Sequence, residues 1–360
     1  MAKIIDHINF IFDRICVHGG EVPPTRSRMR VAKGENIDAQ MATFKSFNSG
    51  EKKLLLSNVK MSSFYGVDPY NSQGYRYFAI TGTPLINVPS EWESELLCKV
   101  EVDAPLFIYL CKILELNVDP RLSFQELRDE FLFQQDDEGY LGHDVDEIIN
   151  IFESFNVFRI SQDSIFYNVD DYELGYYFSL CQDFGLVSLP MFEIKDMYLS
   201  VICDFNAKVP KENIFNSLTS THWKHCFLEL YRCVEWLYML PRTLSLKEAI
   251  GYVDKASSLA HECVDKLSWR KKEEDSLGRL IKMAFKNESF YEQAYWMSIF
   301  KDSEFSAEKT ANVVYKLRNQ FVHQFNKEKE IQLDDVMWRE LITFTLSLIK
   351  ILYSELHDEI

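Results

Sequence analysis

No stretch of this chain is apolar for long enough to cross a bilayer. The longest candidate, Leu341 to Tyr353, already contains Lys350, and a membrane helix needs about 20 apolar residues. The opening Ala2-Lys3-Ile4-Ile5-Asp6 leads into an apolar stretch broken by Asp13 and Arg14, which is not the build of a signal peptide. Eight cysteines stand at 16, 98, 111, 181, 203, 226, 233 and 263. None pairs with another at Cys-x-x-Cys spacing, so neither a zinc ribbon nor a disulfide framework is indicated. Gly-x-Gly-x-x-Gly, the P-loop and Gly-x-Ser-x-Gly are all missing, which leaves dinucleotide, nucleoside triphosphate and hydrolase chemistry without a motif. A reduced cytosolic protein is expected, with no membrane, cofactor or metal.

What is present is an uneven charge. Within a net charge of −16, residues 1–60 carry 10 Lys/Arg against 6 Asp/Glu, residues 61–210 carry 8 against 26, and residues 211–360 carry 21 against 23. Residues 61–210 therefore hold the net negative charge, −18 against +4 before them and −2 after them. Such a surface repels nucleic acid at long range, so any RNA contact belongs at the ends of the chain. The acidic 61–210 region is the place for a protein partner or a regulator.

Patterning divides the chain into three regions. Residues 1–103 read as a mixed α/β region, with a short helix over Ile4–Ile15, a basic arm over Val22–Arg30, and strands at Lys53–Leu56 and Tyr75–Ile80. Residues 104–210 begin with a helix over Pro105–Asn117. A capping box at Ser123 and Glu126 then opens a second helix reaching about Phe133. A third starts at Asp144, with Val145, Ile148, Ile149, Phe152 and Phe155 as its stripe. Val157–Ser161 and Ser164–Asn168 flank Gln162-Asp163 like a β-hairpin. Three helices and a hairpin resemble a winged helix. The third helix opens on acidic residues, which favours protein contact over DNA reading. Residues 171–210 are aromatic and mixed, with strand character, and read as a connector.

Residues 211–360 are helical throughout. Expected helices cover Thr221–Leu240 (ended by Pro241), Ser245–Leu267 (opened by a second capping box, Ser245 with Glu248), Trp269–Phe285, Tyr291–Phe300, Ala307–Phe325 and Asp334–Leu356. The fold class expected is mainly α, an up-and-down helical bundle at the C-terminus.

The fifth of these helices carries Arg318-Asn319-Gln320-Phe321-Val322-His323. Arginine keeps its charge at any relevant pH and can fork onto a phosphate, while histidine can move a proton near neutrality. The spacing alone is weakly specific, because one Arg-x(4–6)-His match is expected by chance in a chain of this composition. Its setting adds weight: Asn after Arg, an apolar run before it, and a long helix after it. In this setting residues 211–360 resemble the HEPN superfamily of small helical bundles. The resemblance implies a metal-independent endoribonuclease, set as a toxin or antiviral defence effector and completed across a homodimer. His323 would be the general acid or base, Arg318 would hold the scissile phosphate, and Asn319 would orient either group.

Helical geometry adds a condition. Asn319 and His323 share a face, whereas Arg318 and His323 lie about 140° apart at 100° per residue. The two would converge through a distorted helix or across two chains. Arg270, Lys271, Lys272, Lys316, Lys327 and Lys329 would form a basic rim for RNA. Two other readings stand beside this one. A HEPN-like bundle can serve only for dimerisation or partner docking, with the winged helix as adaptor, and Arg318 can be a salt-bridged structural residue. His222, His225, Cys226 and Glu229 share part of a helix face at metal-ligand spacing, with no second cluster to complement them. The acidic loop Asp136–Asp146 leaves an EF-hand register unfilled and reads as solvated.

Overall fold

The computed structural model describes residues 4–20, 31, 37–55, 60–67, 73–81, 96–132, 139–180, 187–191, 193–202, 208–267, 273–301, 305–322 and 332–360. The chain divides into two compact units, Met1–Leu186 and Val187–Ile360.

The first unit is a five-stranded antiparallel sheet with helices. Its strands β1 (Asn48–Leu55), β2 (Lys60–Val67), β3 (Gly74–Thr81), β4 (Leu97–Lys99) and β5 (Phe155–Ser161) lie in the order β1-β2-β3-β5-β4. Alternation along β3 assigns its two faces. Tyr75, Tyr77 and Ala79 join a core with Phe64, Val157 and residues of α1 (Ile4–His18), α2 (Ile37–Ser46) and α3 (Ala104–Ile113). Phe78 and Phe158 turn the other way and stack on Phe178 of α6 (Asp171–Leu180), with centroids 5.1 and 4.5 Å away. Both faces are thus covered, which explains why β3 is buried at nearly every position.

Helix α3 starts where Asp103 accepts a hydrogen bond from the Leu106 N–H at 3.0 Å, with Pro105 in the first turn where no donor is needed. It stops at Glu115, whose φ of 49° is the left-handed conformation, with the Leu116 N–H reaching back to the Cys111 carbonyl at 3.0 Å. The capping box at Ser123 and Glu126 forms and opens α4 (Phe124–Leu127). A π-helical turn over Arg128–Leu132 continues it.

The expected β-hairpin does not form. α5 (Val145–Asn150) is shorter than its apolar stripe, and Phe155 begins β5. β5 pairs with β3 and β4 instead of with Ser164–Asn168, which fold as turns. The reason is visible at Arg76 on β3, which is 3% exposed. Its Nη1 donates to the carbonyls of Phe166, Tyr167 and Val169 at 3.2, 2.9 and 2.5 Å. Its Nη2 donates to Asp171 Oδ1 at 2.7 Å and Ser63 Oγ at 3.0 Å, and Nε to Ser63 Oγ at 3.3 Å. A buried guanidinium collects carbonyls that a hairpin would have used between strands. The connector expected to have strand character contains α6 and, in the second unit, α7 (Lys195–Ile202).

The second unit shows nine α-helices among its described residues. After α7 come α8 (Lys211–Leu218), α9 (Trp223–Glu235), α10 (Leu240–Ile250), α11 (Ala256–Leu267), α12 (Glu273–Ala284), α13 (Glu288–Trp296), α14 (Ala307–Val322) and α15 (Asp335–Glu355). Mainly α is therefore the observed class. Pro241 lies in the first turn of α10 rather than ending α9, as suits a residue without an N–H. Ser245 lies inside α10, where its hydroxyl donates to the Pro241 carbonyl at 3.3 Å, so the second capping box does not open a helix. Gly251, at φ 68°, ends α10. At the centre runs α15, capped by Asp334, with Leu341, Ile342, Phe344, Leu346, Leu348, Ile349 and Leu352 all buried. It packs on α7, α9 and α12, and α12 packs on α14. Among the described residues no helix is long and apolar enough to cross a membrane.

Candidate functional site

Helix α14 buries Ala307, Thr310, Ala311, Val314 and Leu317, the positions that recur every three or four residues. This periodicity sets what Arg318 can do. It follows Leu317 at the edge of the buried stripe, and its side chain is 19% exposed.

The guanidinium is held at two points. Nη2 donates to Glu235 Oε1, near the end of α9, at 2.9 Å, and Nη1 donates to the side-chain oxygen of Asn319 at 3.0 Å. The guanidinium carbon lies 5.9 Å from the centre of the Tyr231 ring. Tyr231 shares a buried hydrogen bond with Tyr238. Burial pushes both phenols well above the ordinary tyrosine range, so neither serves as a base near neutrality. Burial also works against the charge on Arg318. Glu235, joined by Glu273 of α12, more than offsets it and holds the guanidinium above its ordinary value. Two acidic groups thus act on one cation.

One turn further along, Phe321 packs edge-on to Phe227 of α9 at 5.9 Å and against Trp338 of α15 at 5.1 Å. Lys224 Nζ stands 5.5 Å from the Phe321 ring centre. Arg318 therefore meets the C-terminal end of α9 and Phe321 its N-terminal end, so the two helices run antiparallel. That N-terminal end also carries His222 and His225, both exposed, with ring centres 5.7 Å apart.

Of the residues expected at the site, Arg318 and Asn319 are brought together and Lys316 is exposed on α14. His323, Lys327, Lys329, Arg270, Lys271 and Lys272 lie outside the described residues, as does the basic arm Val22–Arg30. Glu235, Tyr231 and Tyr238 had no place in the expected site. Their only sequence signal was a carboxylate at the end of an otherwise apolar stripe, beside Val234.

The metal-spaced set on α9 does not converge. Cys226 is buried, within 3.3 Å of the Tyr198 hydroxyl, and burial pushes its thiol up to about 12. Glu229 is occupied by Asn213 at 2.8 Å and Arg232 at 2.5 Å. Among the described residues no three metal-ligating side chains are grouped. A cleft of about 600 Å³ opens among α7, α13 and α15, lined in part by Ser200, Gln293, Ser347 and Lys350. None of the described motif residues lines it.

Comparison of the chain with protein-family models, with curated proteins and with solved structures finds no match.

Proposed function

We propose that the second unit is a HEPN-like bundle and acts as a metal-independent endoribonuclease, working as a homodimer in the cytosol as a toxin or defence effector. The observation that carries this reading is the held guanidinium of Arg318. It is charged, partly open to solvent, oriented by its neighbour Asn319, and set on the helix that precedes the long α15. Among the described residues only two of its five N–H donors are engaged. The rest can meet a phosphate and stabilise charge gathering on it in the transition state. His323, by its place in the motif, would move the proton between the ribose hydroxyl and the leaving oxygen.

The dimer is what the spacing asks for if the site is catalytic, since on a straight helix Arg318 and His323 would lie about 140° apart and a distorted helix is the alternative. Cleavage of RNA by the wild-type protein with chelator present, lost in both Arg318→Ala and His323→Ala at intact folding, is the expected result. Absence of cleavage by the wild type under every condition would remove the reading.

A second reading is favoured by the ion pair itself. Arg318 joined to Glu235 ties α14 to α9, which is what a structural clasp does. On this reading the bundle is a non-catalytic interaction module, and the acidic 61–210 region is where its protein partner docks. Arg318→Ala would then lower stability and leave no chemistry to lose.

A further inference from the structure

Glu235 already takes one arm of the guanidinium that a phosphate would use. A carboxylate and a phosphodiester are both anions with planar or near-planar pairs of oxygens, and an arginine fork receives either. In this chain the fork is already receiving one, at 2.9 Å. Glu273 adds a second negative charge acting on the same guanidinium. A phosphate approaching Arg318 therefore meets a cation already paired, and a carboxylate that repels it. Both ions are partly sheltered, with side chains 19% and 21% exposed, so water screens this repulsion less than it would at a free surface.

We propose that Glu235 is a built-in anion mimic that latches Arg318 at rest, and that a polyanionic strand competes with it for the guanidinium when it binds. The inference rests on the nuclease reading for its biological sense, but not for its test. The latch needs no movement of helices. Glu235 stands at the last residue of α9, and the chain beyond it runs through turns before α10 begins at Leu240, so its side chain can swing off without breaking a helix. Arg318 stays oriented meanwhile by Asn319, through a bond independent of Glu235. Tyr231, beneath the guanidinium, gives the released cation an aromatic face to rest on.

Glu235→Gln keeps the shape and removes the charge. The probe is a short single-stranded RNA with its ribose hydroxyls methylated, which can bind but cannot be cut, read by fluorescence anisotropy at low salt. Couplings between sites of this kind run to roughly 5–150-fold. Glu235→Gln is therefore expected to bind the probe at least about fivefold tighter than wild type. Adding Arg318→Ala to Glu235→Gln should erase the gain. Thermal melts of each variant show that the fold is intact, and Glu235→Asp, which shortens the reach but keeps the charge, supplies a second folded variant.

Equal or weaker binding by folded Glu235→Gln overturns the latch, as does a gain that survives loss of Arg318. Cleavage of ordinary RNA is measured separately. Tighter Arg318-dependent binding without cleavage in any variant keeps the latch and removes the nuclease. Wild-type cleavage that needs Arg318 and His323, with binding unmoved by Glu235→Gln, does the reverse.

Discussion

Two arginines, one in each unit, show how the same side chain can be spent in opposite ways. Arg76 in the first unit is 3% exposed and engages Ser63, Asp171 and three backbone carbonyls, so its donors are used in building the fold. Arg318 in the second unit is 19% exposed on its side chain and, among the described residues, makes two hydrogen bonds, one to Glu235 and one to its own neighbour. A saturated, buried guanidinium has no capacity left for a ligand. A half-engaged, partly exposed one does. Burial and bond count, not residue type, separate a structural arginine from a candidate binding group.

The largest expected effect breaks the first half of the comparison. Arg76→Met leaves Asp171 and the carbonyls of Phe166, Tyr167 and Val169 without their donor. It should cost the first unit about 3–5 kcal/mol, the usual loss when one partner of a buried ion pair is removed. A stability loss in denaturant unfolding of less than a quarter of that would mean that water takes over the role of the guanidinium.

Next comes the aromatic side of the same sheet. His7 on α1 is 4% exposed, stacked on Tyr109 at 5.8 Å and edge-on to Phe44 at 5.1 Å, and its Nδ1 has no hydrogen-bond partner. Burial, helped by Lys112, pushes its pKa below the ordinary 6.5, against Ile108 and Asp6. A lowered imidazole pKa means that the unfolded chain binds the proton first. The first unit should therefore lose stability as pH falls below 6.5, by at most about 1.4 kcal/mol per pH unit, until the folded form also protonates. His7→Phe should flatten that slope in melts taken between neutral and mildly acidic pH.

Arg318→Ala tests the second half. A partly exposed pair contributes about 1 kcal/mol or less, so the second unit should lose little stability. A loss as large as that of Arg76→Met would make Arg318 a clasp and erase the contrast. The smallest expected change is a gain. Glu115 holds a φ of 49°, where a side chain is strained, and its carbonyl accepts from Lys60 Nζ at 2.6 Å. Glu115→Gly keeps the carbonyl and relieves the conformation, and should stabilise the first unit by about 0.5–1 kcal/mol, read from denaturant unfolding.

Much of the helical second unit was legible in the chain. Of the stripe Trp223, Phe227, Leu230, Val234 and Leu237, all but Trp223 are buried as the spacing predicts, and α14 and α15 begin within a residue of where their patterns begin. Local signals with a mechanism held where the surroundings allowed it: Ser123 caps its helix, whereas Ser245, with the same spacing to a glutamate, sits inside one. The difference is Pro241, which starts α10 four residues earlier and leaves Ser245 no terminus to cap. Strand pairing was the least legible part. β5 reads as half a hairpin in sequence, yet its partners β3 and β4 come from residues 74–99.

The sequence by itself determined the helical character of residues 211–360, the lack of any membrane-length apolar run, and the placing of Arg318 beside a buried stripe. Each is a local property, set by side-chain periodicity within a few turns. Only the tertiary structure decided that Arg318 faces Glu235 and that Arg76 collects the loop before α6. Both pairings join residues more than 80 positions apart. Periodicity says which face of a helix or strand is inside. It does not say which distant carboxylate will be waiting there.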